Sequence, residues 1–130
     1  GNGHGTASSL ARLFGILSTG CKRNNEVLMT EETLDKAITI HSSGPDSVLF
    51  GVKLNFGYCF MLEGNKKPNV NFAPIFYKGT FGHAGIGGSV AFGDRENQLG
   101  YSFVCNKQQK SANLYKTSNM LTKALYDSII

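Results

Sequence analysis

The side chain best placed to do chemistry is His83, in the stretch Phe81-Gly82-His83-Ala84-Gly85-Ile86-Gly87-Gly88-Ser89-Val90-Ala91-Phe92-Gly93-Asp94. An imidazole exchanges protons near neutral pH, so a histidine beside a substrate can give or take one. Glycine has nothing to pack and weakens a strand, so glycines in extended sequence mark close approach of a ligand or another backbone. On a two-residue period His83, Gly85, Gly87, Ser89 and Ala91 share one face, while Ile86, Val90 and Phe92 share the other. That asymmetry predicts a strand that lines a site.

The other reactive side chains are dispersed. His4 stands just before a helix start and His41 between elements, so both read as loop residues. Cys21, Cys59 and Cys105 form no C-x-x-C pair, and no short Cys/His set has metal-ligand spacing. No metal and no cofactor is expected. Cys59 and Cys105 sit in apolar, strand-like sequence, where a free cysteine behaves as a small hydrophobe. The glycine run does not read G-x-G-x-x-G and leads into a strand, which argues against a dinucleotide site.

Bulk properties narrow the class. The 130 residues suffice for one domain, and 41% hydrophobic content argues against disorder. The net charge of +4 comes from scattered pairs such as Lys22-Arg23 and Lys66-Lys67. With no basic stripe interleaved with aromatics, a nucleic-acid partner is not expected. No apolar run approaches the roughly 18–20 residues that span a bilayer. The chain opens at Gly1 without a signal-peptide pattern, its first apolar residues being interrupted by Arg12. An odd cysteine count and the lack of any N-x-[ST] acceptor point to a reducing intracellular compartment.

The elements that must position His83 follow from periodicity. Leu10, Leu13, Phe14 and Leu17 predict a helix from Thr6 to Thr19, capped by Thr6 and ended by Gly20. Thr30 starts a short second helix, with Glu31 and Glu32 at its positive end. Ser42 to Ser47, containing Gly44-Pro45-Asp46, reads as a loop. Leu54 to Leu62 reads as one strand, and Lys66 to Pro74, with Pro68, as irregular. After the Phe81–Asp94 strand comes a polar break, Asp94 to Gln98, read as a solvated hairpin tip. Leu99 to Cys105 is its partner strand. Ser111 to Ile130 closes the chain as a helix with Leu114, Leu121 and Leu125 as its core face. This order predicts an α+β layer: an antiparallel sheet of about three strands with N- and C-terminal helices packed on it.

Taken together, these segments resemble the C-terminal part of the serine β-lactamase-like superfamily, which includes class C β-lactamases, esterases and penicillin-binding proteins. The resemblance rests on Gly3-His4-Gly5-Thr6-Ala7-Ser8-Ser9-Leu10-Ala11-Arg12-Leu13, on Phe81 to Asp94 and on Leu99 to Lys107, in the right order and spacing. It implies that His83-Ala84-Gly85 is the family's Lys/His-x-Gly motif, which forms one wall of the acyl pocket. It further implies that the N–H after the glycine, that of Ile86, donates to the developing oxyanion. The fold it implies is a fragment of the β-lactamase/transpeptidase-like fold.

The family's other motifs are missing. No Ser-x-x-Lys occurs; Thr19-Gly20-Cys21-Lys22 and Thr33-Leu34-Asp35-Lys36 come nearest. No Tyr-x-Asn occurs, and Ser111-Ala112-Asn113 follows His83 instead of preceding it, so it reads as the cap region of the last helix. A hydroxyl without an adjacent base is too weak a nucleophile for covalent catalysis. The expectation is therefore that residues 1–130 form the C-terminal part of a serine hydrolase of esters or amides, inactive alone. The alternative is a non-catalytic binding or self-assembling module that keeps the fold. A small sheet with open edges also predicts a homo-oligomer through exposed apolar surface.

Overall fold

The computed structural model describes residues 3–64 and 70–129. Of the irregular segment expected from Lys66 to Pro74, residues 66–69 lie outside them. The first helix, α1 (Ala7–Ser18), begins at a capping box in which Thr6 and Ser9 satisfy each other's backbone N–H. It ends where the Cys21 N–H bonds the Ile16 carbonyl at 2.9 Å and Gly20 takes φ 101°. Phe14 and Leu17 are buried, whereas Leu13 faces solvent, so the buried stripe is narrower than expected. A small ribbon that periodicity did not reveal follows, β1 (Lys22–Arg23) with β2 (Glu26–Val27). Thr30 caps α2 (Glu31–Ile38) by accepting from Thr33 N–H at 3.1 Å.

Among the described residues the sheet has six strands in sequence order, all antiparallel, not about three. Two of the three expected strands, Leu54–Leu62 and Phe81–Asp94, are hairpins, and the expected loop at Ser42 is a strand. β3 (Ser42–Asp46) pairs only with β4 (Val52–Phe56), and this edge position accommodates Pro45, which has no N–H to donate. The predicted Leu54–Leu62 strand turns at residues 57–60, with Gly57 N–H on the Phe60 carbonyl, before β5 (Met61–Leu62). Cys59 sits exposed in that turn at φ 64°, not packed as a hydrophobe. The glycine-rich stretch also folds back, as β6 (Thr80–Ala84) and β7 (Val90–Asp94), followed by β8 (Leu99–Phe103).

Alternation along β7 builds two cores. Phe14, Leu17, Leu34, Phe81 and Ala91 cluster on the face covered by α1. Val90 and Phe92 cluster with Met61 and Phe76 on the opposite face, against Leu125 and Tyr126. The latter two belong to α3 (Lys116–Ser128), preceded by a 3-10 turn at Ser111–Asn113. Ser111 caps nothing there, because α3 starts after Tyr115 without a side-chain cap. Of the leucine face expected, Leu125 packs on the core, but the fully buried positions of α3 are polar. Ser118, Asn119 and Thr122 are buried, while Leu121 is 44% exposed. Asn119 explains the polarity: Nδ2 donates to the Ala73 and Val70 carbonyls, and Oδ1 accepts from Ile75 N–H at 3.0 Å. A buried amide satisfied this way holds an irregular segment that no sheet ladder could pair. Among the described residues no helix is long and apolar enough to cross a membrane.

Candidate active-site wall

The β6–β7 hairpin carries the candidate residues. Its register sets His83 opposite Ala91 and Gly82 opposite Phe92. His83 and Ala91 share a face as expected, but Gly85, Ile86 and Gly87 lie in the connecting turn and belong to neither face. Ile86 does not join Val90 and Phe92; it is 82% exposed. The His83 ring is exposed, with Nδ1 2.8 Å from the Ala84 carbonyl oxygen. A carbonyl oxygen only accepts, so in this contact Nδ1 carries a proton, and in the neutral ring Nε2 then holds the lone pair.

The turn is closed by hydrogen bonds. Gly85 N–H donates to the Ser89 carbonyl at 2.8 Å and Gly88 N–H to the Gly85 carbonyl at 3.2 Å. Gly87 takes φ 112°, a conformation that a side chain would strain. Among the described residues nothing accepts from the Ile86 N–H. Gly85 is open on its side-chain face, where a Cβ would meet nothing nearer than Ser89 Cβ at 4.0 Å. Histidine, open glycine and uncommitted donor thus lie within four consecutive residues at one exposed tip.

Other expected candidates lie apart from this tip. The His41 ring stacks on Tyr58 with centroids 3.8 Å apart, and its Nε2 sits 3.0 Å from the Lys36 carbonyl. Thr19 and Thr33 do not pair with Lys22 and Lys36 as nucleophile and base. Thr19 Oγ1 donates to the Gly15 carbonyl, Thr33 Oγ1 bonds Thr30, and Lys36 pairs with Glu32. Among the described residues no group of His, Cys, Asp and Glu is placed to hold a metal ion.

The stretch 94–98 is the hairpin tip between β7 and β8 as expected, but its first two residues are anchored and not simply solvated. Asp94 is buried and accepts from Tyr126 OH at 2.6 Å and from Asn97 Nδ2 at 2.8 Å. Burial pushes its carboxyl up, but the Tyr126 and Asn97 hydrogen bonds outweigh it and hold the pKa below the ordinary value. Burial, then the bond to Asp94, raises the Tyr126 phenol. Arg95 reaches back to Asp35 and Glu31 of α2. Sequence reasoning missed these partners because they come from helices distant along the chain.

The exposed hairpin of this α+β sheet thus presents His83, Gly85 and the Ile86 N–H together. The family described as Beta-lactamase matches residues 1–123, and the chain belongs to this family of β-lactamase-like serine hydrolases. It is 33% identical over 110 residues to the esterase/beta-lactamase LipL of Mycobacterium tuberculosis (strain ATCC 25618 / H37Rv), covering 82% of this chain and 23% of that protein. Among solved structures it is similar to a novel penicillin-binding protein homologue from Caulobacter crescentus. That match has 32% identity and a TM-score of 0.77, over 95% of this chain and 32% of the other. A family VIII carboxylesterase, 22% identical with a TM-score of 0.74, covers 95% and 31% and shares the fold. The chain thus spans under a third of the length of each of these relatives.

Proposed function

We propose that residues 1–130 are the C-terminal part of a serine hydrolase that cleaves an ester or amide through an acyl-enzyme. In this reading they supply the His83-Ala84-Gly85 wall and one oxyanion donor, and the nucleophile comes from sequence outside them. The observation that carries the reading is the exposed Ile86 N–H, free of any described acceptor, beside a glycine that the fold leaves open. When a serine oxygen attacks the substrate carbonyl, negative charge develops on the carbonyl oxygen. A fixed backbone N–H aimed at that oxygen stabilises the transition state by about 2.7–4 kcal/mol. A side chain at position 85 would stand where the acyl group approaches. His83, exposed on the same hairpin, would hydrogen-bond the substrate or pass a proton on that side.

The test is covalent labelling. A fluorophosphonate or β-lactam probe is expected to acylate the complete protein at a serine outside residues 1–130, within a Ser-x-x-Lys, and to leave the isolated chain unlabelled. Stoichiometric labelling of a serine inside the chain would overturn the reading. So would a complete protein with no labelled serine, an outcome that favours a non-catalytic module.

A further inference from the structure

The turn that carries the Ile86 N–H contains two glycines with positive φ, Gly87 at 112° and Gly88 at 114°. Glycines hold no conformation of their own, so the turn takes its shape from what bonds to it. Much of that bonding comes from the segment after β8. Gln109 N–H donates to the Gly87 carbonyl at 3.0 Å, and the Cys105 thiol donates to the same oxygen at 3.3 Å. Cys105 also donates its backbone N–H to Ser89 Oγ at 3.3 Å, and its Sγ lies 3.5 Å from that hydroxyl. Ser89 in turn holds the Gly85 N–H through its carbonyl at 2.8 Å. Cys105 therefore grips the turn at Gly87 and at Ser89.

These bonds form a connected relay. No described peptide bond is cis, and in a trans peptide the carbonyl and the N–H point in opposite directions. The Gly87 carbonyl and Gly88 N–H share one peptide plane; the Gly85 carbonyl and Ile86 N–H share another. A donor on the Gly87 carbonyl fixes the plane whose other end, Gly88 N–H, bonds the Gly85 carbonyl at 3.2 Å. That bond fixes the second plane, and the Ile86 N–H emerges on its far side. Hydrogen bonds connected in this way polarise one another, so the last donor in the chain is strengthened as well as aimed.

We propose that Cys105 is a positioning residue for the Ile86 N–H, acting through the Gly87–Gly88 and Gly85–Ile86 peptide planes. Its role in turnover rests on the acyl-transfer reading above; its effect on the amide does not. The test uses the complete protein with isotope-labelled isoleucine, the Ile86 amide resonance being assigned through Ile86→Val. Cys105→Ala removes the thiol donor, and the Ile86 amide is expected to move upfield. Cys105→Val fills the volume without a donor, is expected to give the same shift, and keeps the test open if the alanine variant does not fold. Cys105→Ser restores a donor and is expected to return the resonance toward its original position. In the same series kcat falls about three- to tenfold in the alanine and valine variants, with KM unchanged, and recovers in the serine variant. An Ile86 resonance unmoved by both donorless variants overturns the proposal, as does an equal shift in the serine variant. Failure of the acyl-transfer reading is distinguishable: the unmodified protein then shows no turnover and no labelled serine, while the Ile86 amide still answers to Cys105.

Discussion

Gly100 and Gly85 stand at opposite kinds of surface. At Gly100, in β8, an added Cβ would collide with the Ala11 carbonyl and the backbone of Gly15, because α1 lies directly on the sheet. Gly93, opposite Gly100, faces the same helix and would meet Ser18, Phe81 and the Phe14 carbonyl. At Gly85 the same addition meets only Ser89 Cβ at 4.0 Å, ordinary contact. One region needs glycine so that the chain can pack on itself. The other has no such need within the described fold; under the proposed acyl-transfer reading, an approaching acyl group would supply it.

The sharpest way to break that contrast is to add a side chain to each region. Gly100→Val is expected to destabilise the fold by about 3 kcal/mol or more, since helix and strand backbones must separate to admit it. Urea unfolding would measure this, and a loss below about 1 kcal/mol would mean that α1 is not seated as described. Gly85→Ala is expected to leave stability within about 0.5 kcal/mol, as for an exposed position. In the complete protein it should slow acylation roughly 10²-fold by displacing the substrate oxygen from the Ile86 N–H. Equal effects of Gly85→Ala on folding and on acylation would dissolve the distinction.

A smaller effect tests the face opposite α1. Tyr126→Phe removes the phenol hydrogen bond to buried Asp94 and is expected to lower stability by about 1.5–3 kcal/mol at neutral pH. The folded-state pKa of Asp94 is depressed below the ordinary 3.8, so this contribution is present above that value and lost as pH falls through the folded pKa. The difference between wild type and Tyr126→Phe should therefore shrink below about pH 4, which unfolding curves across the acid range would check. A difference that is constant with pH would mean that Asp94 does not hold the phenol as a carboxylate.

Local signals were legible where local chemistry decides. Thr6 and Thr30 cap their helices as their types and spacing predict, because a cap bond spans only a few residues. His83-Ala84-Gly85 also stood out, since glycines in an alternating stretch have few uses. Strand count was not legible, because hairpin turns at 57–60 and 85–88 sit inside runs that otherwise alternate well. Residue spacing could not distinguish a glycine that lines a strand from one that bends it. The buried face of α3 was misread because Ser118 and Asn119 are polar, and only the carbonyls they meet make their burial favourable.

By itself the sequence determined the caps of the first two helices and the α+β class, consequences of short-range sterics and hydrogen bonding, and it marked His83-Ala84-Gly85 through its resemblance to the family motif. Tertiary structure decided the rest. It turned the glycine-rich run into a hairpin, set Asp94 against Tyr126, and brought Cys105 behind the turn that presents Ile86. The last two depend on contacts between residues 16 or more positions apart, as Cys105 is from Ser89, and no local pattern encodes which distant partner arrives.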